Sequence, residues 1–152
     1  MSTNGDVTIA IVSDEDVVPA RAEGRMLACE LGFSRTDATL IATAISEVAR
    51  NILVHAGCGE MELKPAYEDR RYGVVVVARD QGPGIRDVDA ALREGYGTAD
   101  GLGLGLPGVN RIMDEFEIDT AVGRGTTVEM TKWRPREELE LLRAKRGPPG
   151  CG

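Results

Sequence analysis

The run Val74-Val75-Val76-Val77, inside the stretch from Tyr72 to Ala78, constrains this chain more than any other segment. Four consecutive β-branched residues favour an extended backbone, and with no polar residue alternating among them the strand must be covered on both faces. The strand ends at Arg79-Asp80, and the next residues, Gln81 to Ile85, form a turn in which Gly82 and Gly84 let the backbone approach a ligand closely. After a polar stretch a second glycine run follows, Gly101-Leu-Gly-Leu-Gly-Leu-Pro-Gly108, which opens a helix. An acid at the end of a buried strand, a glycine turn and a helix N-terminus can together hold a purine at one end and phosphates at the other. Exposed backbone N–H groups and the positive end of the helix dipole supply the attraction, so no basic cluster is required. Asp80 to Gly108 therefore reads as a nucleotide pocket.

The rest of the composition narrows the partners. A net charge of −7 and a pI near 4.8 disfavour nucleic acid and anionic membrane, both of which need a basic surface. The segment Met1 to Asp6 lacks a basic and then apolar leader, and no apolar run approaches the roughly 20 residues that span a bilayer, so the expected location is cytoplasmic. Three cysteines, Cys29, Cys58 and Cys151, are odd in number and lack CxxC spacing, which supports neither a disulfide framework nor a zinc site. At 152 residues the chain is expected to be one domain, 1–152, with a core of about 7–133.

Before the valine strand, Val7, Ile9 and Ile11 alternate as a short strand, and Ser13 with three following acids offers a helix start. Ala20, Gly24, Leu27 and Leu31 predict a helix from about Val17 to Leu31, closed by Gly32. Ser34 or Thr36 caps a longer helix to about Val54 with the core stripe Ile41, Ile45, Val48 and Ile52. Glu47, Asn51 and His55 form an i, i+4, i+8 row on the flank of that stripe, which taken alone reads as ordinary solvated helix surface. Met61 and Leu63 begin a strand in which Pro65 favours an edge or bulged position. Asp87 to Glu94 is a candidate short helix, Gly95 to Gly101 a candidate lid, and Leu104 to Met113 a helix. Phe116 and Ile118 start a strand, Val122 to Gly125 turns it back into Thr126 to Trp133, and Pro135 to Arg146 reads as a charged helix with a frayed tail.

Two common phosphate motifs do not fit. Gly103 to Gly108 matches G-x-G-x-x-G in form, but a polar stretch precedes it where the dinucleotide fingerprint needs a strand. The lysines, Lys64, Lys132 and Lys145, do not follow a glycine loop as a Walker motif requires. What remains is an ordered set: Glu47-x-x-x-Asn51 on a helix, Asp80-x-Gly82-x-Gly84-Ile85 after a buried strand, Gly101-x-Gly103-x-Gly105, then Gly125-Thr126 in a hairpin. This set resembles the GHKL ATPase superfamily of gyrase, Hsp90, histidine kinases and MutL. Within it, Thr43 to Asn51 and Gly101 to Phe116 look most like the small serine-protein kinases of the bacterial stressosome.

The resemblance implies an α/β fold, a two-layer α+β sandwich of the Bergerat type with a mixed sheet and helices on one face. It implies ATP and Mg²⁺, with Asn51 as the metal's protein ligand, Asp80 as acceptor of the adenine amino group, and Gly82, Gly84 and Ile85 beside the base. Thr126 supports the adenine end, and Gly101, Gly103, Leu104 and Gly105 close over the phosphates. Glu47, one turn from Asn51, is the expected general base toward a serine hydroxyl. The implied partners are STAS-domain scaffold proteins as substrates and a PP2C-type phosphatase as downstream target. The chain also departs from its relatives: Asp100 stands where anti-sigma-factor kinases carry an arginine, and Val54 where histidine kinases often carry a lysine. Arg50, Arg93 and Arg111 are equal candidates for the γ-phosphate contact, and His55 is expected to pack or to lie near phosphate. An anti-sigma-factor kinase and a nucleotide-binding switch without phosphoryl transfer are the competing readings.

Overall fold

The computed structural model describes residues 6–85 and 105–137. Strands Val7–Ile11 (β1), Gly59–Tyr67 (β2), Arg71–Asp80 (β3), Glu115–Ala121 (β4) and Gly125–Pro135 (β5) form one sheet in the order β1-β2-β3-β5-β4. Helices Val17–Glu30 (α1), Arg35–His55 (α2) and Gly105–Ile112 (α3) accompany it. The α/β class is as expected, but every neighbouring pair of described strands is antiparallel, so the sheet is not mixed. The reason lies in the connections. Two helices, not one, join β1 to β2, so the chain re-enters the sheet from the end it left and runs back. β3 and β4 do share a direction, but β5 inserts between them and pairs antiparallel with both.

The helices form from their caps inward. The Ser34 hydroxyl accepts the Asp37 N–H at 3.0 Å, so Ser34 and not Thr36 starts α2. The Asp16 carboxylate accepts the N–H groups of Val12 and Ser13, fixing a 3-10 turn, Asp14–Asp16, ahead of α1. The predicted stripe of α2 is the buried one: Ile41, Ile45, Val48 and Ile52 are all 3% exposed or less. They join a core with Ile11, Met61, Leu63, Val74, Val76, Val128 and Met130 from one sheet face, and with Val17, Ala20 and Leu27 from α1. Burying side chains of this size contributes about 1.5–3 kcal/mol each, which holds the two layers together.

On the opposite face Val77 is only 4% exposed, while Val75 is half-buried. In register, Val77 lies between Glu62 and Glu129, whose aliphatic stems can shade it, so the cover expected on both faces is helices on one side and long neighbouring side chains on the other. Pro65 pairs with Val74 of β3 beyond the last β1–β2 partners, Val7 and Leu63, an edge position that tolerates its missing N–H. Pro135 ends β5, where a helix was expected to begin; beyond residue 137 that prediction lies outside the described residues, as do the Asp87 to Glu94 helix and the Gly95 to Gly101 lid. Cys29 is disulfide-bonded, a pairing the odd cysteine count gave no reason to expect, and Cys58 is an exposed thiol. No described helix is long and apolar enough to cross a membrane.

Candidate functional site

The C-terminal half of α2, the end of β3, the loop that follows it, the start of β5 and the first turn of α3 carry the predicted residues that are described. Glu47 does not lie on a solvated flank. It is 4% exposed, and its Oε1 accepts the Gly105 N–H at 3.2 Å. Gly105 is the first residue of α3, and its N–H is one of the donors that a helix start leaves without an internal partner. A carboxylate there also meets the positive end of the helix dipole. The glycine run and the acid on α2 are thus joined by a direct bond.

Asn51 follows one turn later on the same flank, half-buried, and its amide has no hydrogen-bond partner among the described residues. His55 completes the row as the last residue of α2 and is exposed. The described residues bring no group of three or more His, Cys, Asp or Glu together. The Asn51 amide oxygen is a ligand that suits Mg²⁺, a hard ion that keeps several waters and takes further oxygens from phosphates.

Asp80 ends β3, and its Oδ1 accepts the Gly82 N–H at 2.9 Å, folding the loop back over the strand end. The loop is held from two sides. A Cβ on Gly82 would come within 2.6 Å of the Ala56 Cβ at the end of α2, and a Cβ on Gly84 would run into the Ala121 carbonyl oxygen of β4. Gly84 also has φ of +81°, which side chains rarely adopt. The Pro83 carbonyl accepts the Gly123 N–H at 2.8 Å, and the Ile85 N–H donates to Thr120 Oγ1 at 2.9 Å. Glycines at 82 and 84 are therefore imposed by this wedge between α2 and the β4–β5 hairpin.

Thr126 is 7% exposed and in register with Asp80 on one side and Thr120 on the other. Directly opposite residues share a sheet face, so Asp80, Thr126 and Thr120 make a polar row across three strands at the end of the core. Gly101, Gly103 and Leu104 lie outside the described residues, as does Arg93. Of the other two arginines, Arg111 is exposed, whereas Arg50 is half-buried and its Nε is enclosed without a hydrogen bond. Arg50 lines a cleft of about 500 Å³ with Ser13, Asp14, Leu53 and Val54.

Two residues of the site were not singled out from sequence. Ala56 is the floor under Gly82, and its small size gave no signal. Thr120 had one: a turn at Val122 to Gly125 places residue 120 opposite residue 126, and both are threonines.

The comparisons with known proteins agree with this geometry. The histidine kinase-like ATPase domain family matches residues 12–132. The chain is 43% identical to the serine/threonine-protein kinase RsbT of Bacillus subtilis over 130 residues, 86% of this chain and 98% of that protein. It is 32% identical to an anti-sigma F factor of Caldanaerobacter subterraneus over 99 residues, 61% of this chain and 68% of the relative. Against the anti-sigma F factor of Bacillus subtilis it is 29% identical over 120 residues, 74% and 81% of the two chains. With the Asn51 helix, the Asp80 strand end and the Thr126 hairpin all inside the matched span, the chain belongs to the family of histidine kinase-like ATPase domains, within the GHKL superfamily.

Proposed function

We propose that this chain is an ATP- and Mg²⁺-dependent serine/threonine-protein kinase that phosphorylates STAS-domain proteins of a stressosome and, when released from them, activates a PP2C-type phosphatase. The observation that carries the reading is a buried acid and an amide one turn apart on α2, Glu47 and Asn51, with the acid bonded to the glycine run at Gly105. The 43% identity to RsbT, covering nearly all of that kinase, supports the same class of reaction. A cytoplasmic location and one domain over 1–152 belong to the same reading.

In this mechanism Asp80 accepts from the adenine amino group, since an ionised carboxylate can accept but not donate. Gly82, Gly84 and Ile85 would border the base, Thr126 would hydrogen-bond at its edge, and Gly101, Gly103, Leu104 and Gly105 would offer backbone N–H groups to the phosphates. Asn51 would hold the magnesium, which when bound would offset negative charge on the phosphates. Glu47 takes the proton of the substrate hydroxyl, a step for which its carboxylate turns away from the Gly105 N–H. The Gly105 N–H is also a donor that a phosphate would compete for.

The test is incubation of the purified chain with radiolabelled ATP, Mg²⁺ and candidate STAS-domain proteins, beside a sigma-factor pull-down. Acid-stable label on a serine or threonine, lost in Asn51→Ala, is the expected result. The matches to anti-sigma F factors favour a second reading, sequestration of a sigma factor, and sigma-factor capture without STAS-domain labelling would establish it instead. ATP binding with no transfer to any candidate points to a nucleotide-gated switch.

A further inference from the structure

Thr120 has no part in the mechanism above, yet its hydroxyl makes three polar contacts at the base end of the site. Its Oγ1 lies 2.9 Å from the Ile85 nitrogen, 3.0 Å from the Gly125 carbonyl oxygen and 2.9 Å from Thr126 Oγ1. A hydroxyl has one proton and two acceptor lone pairs. The Ile85 N–H can only donate, so it takes one lone pair of Thr120. The Gly125 carbonyl can only accept, so it takes the proton. One lone pair remains for Thr126, which must therefore donate its own proton toward Thr120. No other assignment satisfies all three contacts.

The consequence falls on Thr126. With its proton committed inward, that hydroxyl has only acceptor capacity left, and its neighbour in register, Asp80, is acceptor-only when ionised. We propose that Thr120 is a specificity-determining positioning residue: by fixing Thr126 as an acceptor, it makes the site favour a purine with an amino donor at its 6-position over one with a carbonyl there. A 6-amino group brings protons to acceptors. A 6-carbonyl puts a third acceptor there and leaves the ring N1–H as the single proton where the amino group has two, so a polar group goes unpaired, and unpaired buried polar groups are what let a site reject a near-isostere strongly.

The inference rests on the nucleotide reading of the site, and the experiment separates the two. Affinities for Mg-ATP and Mg-ITP are measured calorimetrically for the wild-type chain, Thr120→Val and Thr120→Ser; inosine differs from adenosine only in the 6-carbonyl and the ring proton beside it. Valine has the shape of threonine without the hydroxyl, so it frees the Thr126 proton to turn outward and serve a carbonyl. It also strips Ile85 of its acceptor, which weakens binding of both nucleotides, so the ratio of affinities and not either affinity is the readout. The expected result is a wild-type preference for ATP that falls about tenfold in Thr120→Val and is retained in Thr120→Ser. Thr120→Ala, which removes the same hydroxyl, gives the same readout where the valine variant does not fold. An unchanged ratio in a variant that still binds nucleotide overturns the inference alone and leaves Thr120 as a loop anchor. A wild-type chain that binds neither nucleotide overturns the site reading, and this inference with it.

Discussion

The fold gives Glu47 a helix start to cap and the proposed function gives it a proton to take, two roles that one substitution would confound and two can separate. Its carboxylate is 4% exposed and accepts the Gly105 N–H at 3.2 Å, so replacing it with alanine leaves a buried donor at the start of α3 without that acceptor. Losing a capping acceptor of this kind costs about 1–2 kcal/mol. In a chain of 152 residues about 2–4 °C of melting temperature corresponds to each kcal/mol, so Glu47→Ala is expected to melt roughly 2–8 °C below the wild type. Glutamine keeps the shape and an acceptor oxygen and loses only the charge at the helix dipole, about 0.3–1 kcal/mol, so Glu47→Gln is expected to melt within about 4 °C of the wild type. Neither amide nor methyl can take a proton, and both variants should lose about 10²–10⁴-fold in phosphoryl transfer. The assay pairs differential scanning calorimetry with initial rates at saturating ATP. Wild-type turnover by Glu47→Gln would falsify the base assignment, and equal melting of Glu47→Ala and the wild type would show that the bond to Gly105 does not support the fold.

Two further outcomes follow from the same geometry. Gly84→Ala meets both a positive φ and the Ala121 carbonyl, whereas Gly123→Ala meets a φ of +83° with nothing within 4 Å. Urea unfolding should therefore place both below the wild type, with Gly84→Ala lower by a further 1–3 kcal/mol or so from the collision, and equal losses would mean that the loop is not wedged. Asn51→Ala should weaken Mg-ATP binding at least about tenfold, or about 1.4 kcal/mol, and should make the remaining affinity insensitive to chelation of Mg²⁺. If chelation weakened binding by this variant as much as by the wild type, another group would hold the metal.

Much of this molecule could be read from residue order because its signals are local. The stripe Ile41, Ile45, Val48 and Ile52 has a period that only a helix satisfies, and four adjacent valines have one economical use. The site's glycines were legible as a pattern but not as a cause: the collisions that impose Gly82 and Gly84 come from Ala56 and Ala121, which are 26 and 37 residues away along the chain. Glu47 was placed on the correct helix flank but given the wrong surroundings, because α3 covers that flank and helical periodicity says nothing of what packs from outside. The mixed sheet failed for a similar reason. Direction along a strand follows from the connections, but neighbour order depends on where β5 inserts, and that is a long-range choice. Thr120 needed a hydrogen-bond count, which no spacing rule supplies.

The position of β3 has a consequence for how binding could be observed. From Tyr72 to Asp80 this strand is paired with β2 on one side and with β5 on the other, so it is bonded along both edges. Amides held this way exchange with solvent water only when the whole fold opens, and their exchange rates measure global stability. Asp80 sits at the end of that strand, where the most protected backbone meets the loop. A nucleotide gripped there at 100 times its dissociation constant adds about 2.7 kcal/mol to the folded state, which slows the slowest β3 amides about a hundredfold. The strand's interior thus works as a gauge for occupancy of a pocket that lies beyond its end.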